Sequence, residues 1–154
     1  MARRVFFSFH YDNDIWRANQ VRMANVVAGP DVAGFFDHSE YEEAKKAGNE
    51  GIKRMILKHL KNTSVTVVLI GSQTAYRPWV RYEIEQSIAQ NNGFLGIYIH
   101  HLKNQDGLTS VRGPKPTVPY GVEFPGYDWD RDLERFKKEI EAAGKRSDAL
   151  RNRR

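Results

Sequence analysis

The chain has 154 residues, no cysteine, and 24 Lys/Arg against 19 Asp/Glu for a net charge of +5. That length suits one domain with a real hydrophobic core. The missing cysteine excludes disulfides, thiolate metal sites and cysteine nucleophiles, and no apolar run approaches the ~20 residues of a membrane span. The final ten residues, KRSDALRNRR, hold five basic groups and one acid, so residues 1–144 carry only +1. The basic character is therefore a tail, expected to be a solvated, frayed terminus (145–154) after a single domain (1–144), and nucleic acid is not an expected partner. Without a charged-then-apolar leader, a cytoplasmic protein is expected.

In chain order, Val5 to Phe9 read as a first strand, too apolar throughout for a half-exposed edge. His10, Tyr11 and Asp12 follow at its carboxyl end, where a histidine is usually a structural hydrogen-bonding group. Asp12 to Asp14 predict a helix start, with Trp16, Met23, Val26 and Val27 as packing positions. Gly29-Pro30 breaks that helix, and Val32 to Phe36 predict a second strand ending at Asp37-His38. Ser39 to Asn49 read as a polar loop, in which Lys45 and Lys46 are solvated cations or diphosphate contacts. A helix is expected from about Asn49, with its core stripe at Ile52, Met55, Ile56 and Leu60.

Val65 to Ile70 form a charge-free, β-branched run expected of a central parallel strand. Gly71, Ser72, Gln73 and Thr74 make a polar turn, and Pro78 suits the first position of the next helix. On that helix Val80, Ile84 and Ile88 share a face, while Trp79 and Glu83 lie side by side at its edge. Asn91, Asn92 and Gly93 read as its cap. Phe94 to Ile99 predict a further strand, followed by His100-His101. Two histidines without an acidic or cysteine neighbour fall short of a zinc site, so no metal is expected. Lys103 to Tyr127 is Gly/Pro-rich, with room for a fifth short strand around Val122 to Phe124. A last helix over Asp130 to Ala143 packs through Leu133, Phe136 and Ile140. Strand and helix alternate throughout, which predicts an α/β, flavodoxin-like, three-layer sandwich around a mostly parallel sheet of four or five strands.

In such a sheet ligands bind beyond the carboxyl ends of the strands. Glu83 sits there as a candidate catalytic carboxylate, or as one more solvated helix glutamate like Glu85. Ser8 and His10 at one strand end, with Gly71 and Ser72 at another, can offer N–H and hydroxyl groups to ribose or phosphate. Trp79, Phe6, Phe9 and Tyr11 either stack on a flat ring or pack the core. A phosphoacceptor domain would want an aspartate where Gly71-Ser72 stands, and a dinucleotide-dependent dehydrogenase would want a glycine-rich turn where FSFHYD stands.

Trp79-Val80-Arg81-Tyr82-Glu83 resembles the Trp-x-x-x-Glu arrangement of catalytic TIR domains. The blocks at Arg4 to Tyr11, Glu42 to Ile56 and Asn62 to Ile84 resemble, more specifically, the TIR proteins of Thoeris anti-phage defence, over about the first 100 residues. The resemblance implies a TIR fold and NAD as a substrate, with no cofactor. It implies Glu83 as the catalytic residue, and substrate binding by Ser8, Phe9, His10, Asp37, Gly71, Ser72 and Trp79. It further implies a cyclic ADP-ribose isomer as product, a separate effector reached through that diffusible signal, an infection trigger and homo-oligomeric assembly. The loop after the second strand would cover the site or dock on a neighbouring protomer. The C-terminal third departs from the pattern. The alternative is a TIR-like assembly module that keeps the fold and performs no chemistry.

Overall fold

The computed structural model describes residues 3–28 and 38–153. Among these residues four parallel strands, β1 (Val5–Ser8), β2 (Val65–Ile70), β3 (Gly93–Tyr98) and β4 (Gly126–Asp128), lie side by side in chain order. The helices are α1 (Tyr11–Ala28), α2 (His38–Lys46), α3 (Gly48–Leu60), α4 (Pro78–Ala89) and α5 (Leu133–Arg151). This is the expected α/β sandwich. All of β1 and β2 is buried, as parallel strands covered on both faces require.

The pleat of β2 divides the core. Val65, Val67 and Leu69 pack with α3, α5 and Phe7 in the larger cluster. Val68 and Ile70 pack with Val80 and Ile84 of α4 and with Phe94 and Phe124 in the smaller one. The predicted stripe on α3 is buried at Ile52, Met55, Ile56 and Leu60. Pro78 opens α4 as expected.

Several expectations are corrected. Trp16 and Met23 are 53% and 59% exposed; α1 instead buries Asp14, Arg17, Ala18 and Val21. Arg17 can enter the interior because each of its bonds meets an acceptor: Nε donates to the Leu102 carbonyl (2.8 Å), Nη1 to Asp14 (2.8 Å) and Nη2 to the Leu108 carbonyl (3.0 Å). The side chains of Val26 and Val27, the strand expected at 32–36, and Asp37 lie outside the described residues.

The segment expected as a polar loop is mostly helical. Within α2, Glu42 pairs with Lys45 and Glu43 with Lys46, one turn apart, and Tyr41 is buried. Gly48, at φ +71°, allows the sharp passage from α2 to α3. The outer strand β4 falls at Gly126–Asp128, just beyond the stretch proposed for it.

The basic tail is not frayed, because α5 runs on to Arg151. Ser147 Oγ donates to the Asn91 carbonyl (2.7 Å), Arg146 to the Phe94 carbonyl (2.7 Å), and Arg151 to the Thr63 and Gln90 carbonyls (3.0 and 3.1 Å). These bonds fasten the end of α5 across the amino-terminal edge of the sheet, opposite the end where Ser8 and Glu83 meet.

Candidate active site

Glu83 lies in the middle of α4 and is only 3% exposed. It is thus inside the protein, whereas the helix period alone puts it at a rim. Ser8, the last residue of β1, donates from Oγ to Glu83 Oε1 at 2.8 Å. Burial is the largest influence on the carboxyl and pushes its pKa up to about 8, against the opposing pulls of the Ser8 hydroxyl and the Arg77 guanidinium. The resting site therefore holds Glu83 mostly protonated at neutral pH.

The cavity beside it is walled by Phe9 and Tyr11 after β1, Tyr41 of α2, Ile52, Met55 and Ile56 of α3, and Arg77 and Trp79 at the start of α4. It encloses about 20 Å³, room for roughly one water. One wall is Tyr41, whose ring stacks on Tyr11 with centroids 4.2 Å apart and planes at 20°. Trp79 stands edge-on to Tyr82 at 5.8 Å and is partly buried against the core. A wider cavity of about 630 Å³ lies between α1 and the start of α5, walled by Trp16, Met23, Trp129 and Leu133 among others. Among the described residues no carboxylate lines it, and it shares no lining residue with the cavity beside Glu83.

Arg77 is the cation of the site. Its Nη2 donates to Asp12 at 2.9 Å and reaches the Tyr41 hydroxyl at 3.5 Å. Sequence reasoning passed over both Arg77 and Tyr41. The signal for Arg77 was there: a positive charge at a helix N-terminus opposes the helix dipole, so an arginine just before Pro78 calls for a compensating partner. Tyr41 was a lone aromatic in a polar stretch.

Of the residues singled out from the sequence, Ser8, Phe9, Trp79 and Glu83 come together. His10 stands beside them: its Nδ1 accepts the Asn13 backbone N–H at 3.3 Å, capping α1, and burial holds its pKa below the usual histidine value. Gly71 and Ser72 do not line the cavity beside Glu83. The Gly71 N–H is taken by Thr74 Oγ1 at 2.8 Å, a Cβ on Gly71 would collide with the Asp14 carboxylate, and one on Gly113 would collide with the Gly71 carbonyl. This glycine lets α1 and the 103–125 loop close on the end of β2.

The sequence profile of the family described as Thoeris protein ThsB, TIR-like domain, matches residues 6–104, a span that runs from β1 through α4 and β3. A Bacillus cereus (strain MSX-D12) protein, provisionally named cyclic ADP-D-ribose synthase ThsB1, is 46% identical over 134 residues, covering 86% of this chain and 67% of that relative. The matched region contains both halves of the Ser8–Glu83 pair, and the chain belongs to the Thoeris ThsB family of TIR-like domains.

Proposed function

We propose that this chain is an NAD-cleaving TIR enzyme of anti-phage defence, which releases nicotinamide and closes the remainder into a cyclic ADP-ribose isomer that activates a separate effector. The observation that carries this reading is Glu83 itself, a buried carboxyl hydrogen-bonded to Ser8 at 2.8 Å among aromatic side chains. The provisional name of the Bacillus cereus relative, cyclic ADP-D-ribose synthase, supports the product class.

Breaking the nicotinamide–ribose bond sends its electron pair out with a neutral leaving group, so no acid is needed to protonate it. The positive charge passes to the ribose in an oxocarbenium-like transition state. An ionised Glu83 stabilises that charge electrostatically. The resting carboxyl is largely protonated, but the pyridinium of incoming NAD places a cation beside it and favours loss of its proton. Trp79, Phe9 and Tyr11 supply flat apolar faces for the nicotinamide ring. Exclusion of water from the closed site leaves the anomeric carbon to an internal nucleophile of the same molecule, which is what cyclisation requires.

A cavity of about 20 Å³ does not admit a dinucleotide. The side chains that wall it must therefore move apart before turnover. This agrees with an enzyme that rests closed and is activated by assembly or infection, and the unknown trigger would act on that step.

The test is mass spectrometry of NAD and its products in phage-challenged cells expressing the parent or Glu83→Gln. A Glu83-dependent species with the mass of cyclic ADP-ribose supports the proposal. Free ADP-ribose alone would make the protein a plain NAD hydrolase, and unchanged NAD with protection intact would make it an assembly module.

A further inference from the structure

A second group of chemistry-bearing side chains stands at the carboxyl ends of β3 and β4, on the far half of the sheet from β1. His100 and His101 follow β3, and Asp128 closes β4. The sheet register sets Asp128 opposite Tyr98, which brings the acid to two histidines that have no acidic neighbour in sequence. One ligand atom from each of the three lies within 4.8 Å of the other two.

The bonds around these groups are those that orient metal ligands. His101 Nε2 lies 2.7 Å from the Trp129 carbonyl oxygen. A carbonyl only accepts, so Nε2 carries the proton and Nδ1 is left with its lone pair, the arrangement that fixes a ligating imidazole. Asp128 Oδ1 accepts from Arg112 at 2.5 Å, and that guanidinium rests 3.8 Å over the Tyr98 ring. This anchors the carboxylate and leaves its second oxygen for another partner. His100 Nδ1 is buried without any hydrogen-bond partner, an orphan of the kind an ion or an ordered water usually satisfies.

We propose that His100, His101 and Asp128 bind one divalent transition-metal ion of the zinc or cobalt type, with its remaining position open to water. Two imidazoles and a carboxylate favour such ions over Mg²⁺ or Ca²⁺, which prefer all-oxygen sites. Bonds of about 2.0–2.2 Å set tetrahedral ligand atoms about 3.4 Å apart, so the three ligand atoms, now within 4.8 Å of one another, would draw together on binding. The ion would tie the three-residue outer strand β4 to β3. It would also order the loop whose Ser110 N–H bonds the His100 carbonyl at 2.8 Å. The site is independent of the NAD reading and stands or falls without it.

The test uses the full chain without a histidine tag, stripped of metal, titrated with Zn²⁺ by calorimetry and with Co²⁺ by visible absorption. The expected result is one ion per chain, no heat with Mg²⁺, and affinity weakened about tenfold or more in His101→Ala and in the nearly isosteric Asp128→Asn, both checked for folding by circular dichroism. Arg112→Gln, which removes the anchor on Asp128 and the contact with the Tyr98 ring but no ligand, should weaken binding less than Asp128→Asn. Absence of Zn²⁺ binding by the parent overturns the proposal. Binding that is unchanged in the folded Asp128→Asn and His101→Ala variants overturns it equally, because that is the behaviour of an adventitious surface site.

Discussion

The Ser8 hydroxyl and the Glu83 carboxyl meet at 2.8 Å inside the protein, joining the end of β1 to the middle of α4. The bond favours the ionised carboxyl, while burial favours the protonated one and prevails. The site thus rests closed with its carboxyl uncharged, and the cationic substrate supplies part of what ionises it.

Stability should carry the mark of this burial. The Glu83 carboxyl rises from 4.5 to about 8 on folding, so between those values the folded chain holds a proton that the unfolded chain has lost. Stability from this group is then greatest below about pH 4.5, falls as pH rises, and levels off above about 8. Denaturant unfolding across that window should show the parent losing a few kcal/mol relative to Glu83→Gln, whose side chain cannot ionise. Parallel curves for the two proteins would show that Glu83 is ionised at no cost.

Activity should follow the opposite course. If the ionised carboxylate does the work, kcat/KM for NAD rises with pH towards about 8, the free-enzyme value. Ser8→Ala removes a hydrogen bond to the charged form, worth about 1.5–3 kcal/mol. At neutral pH its kcat/KM should drop at least about tenfold, with partial recovery at higher pH as the ascending limb moves up. A Ser8→Ala enzyme with the parent's rate and pH profile would remove Ser8 from the site.

How much of this was legible in the sequence differs by element. The strands Val5–Ser8 and Val65–Ile70 were readable because burial on both faces leaves only apolar positions. The Trp79 and Glu83 spacing pointed to the right helix, but its period could not show that Glu83 is buried, because the residues around it come from β1, α2 and α3, far away in sequence. The α2 segment read as a loop, since its helix rests on paired charges and one aromatic instead of an apolar stripe. In α1 the large apolar Trp16 and Met23 misled, because Arg17 is admitted to the interior by acceptors on a distant loop. The end of α5 read as a tail because its anchors are backbone carbonyls, which sequence does not reveal.

Arg77 supplies a prediction about substrate binding. Its ion pair with Asp12 is partly exposed, at 27% and 55% for the two side chains, so it contributes little stability and is readily exchanged for a substrate phosphate. We expect Arg77→Ala to raise KM for NAD about tenfold or more with a smaller change in kcat, and Asp12→Asn to lower KM by freeing the guanidinium. Equal KM values for all three proteins would place the diphosphate elsewhere.

The central claim is that Glu83 performs the chemistry, and nicotinamide release by lysates of phage-challenged cells tests it most directly. Parent and Glu83→Gln would be compared at equal amounts of protein, with the purified variants shown to be folded by circular dichroism and thermal melts. Glu83→Gln should lose about 10²–10⁴-fold in rate while melting no lower than the parent. A folded Glu83→Gln protein that releases nicotinamide within a few-fold of the parent's rate would contradict the account.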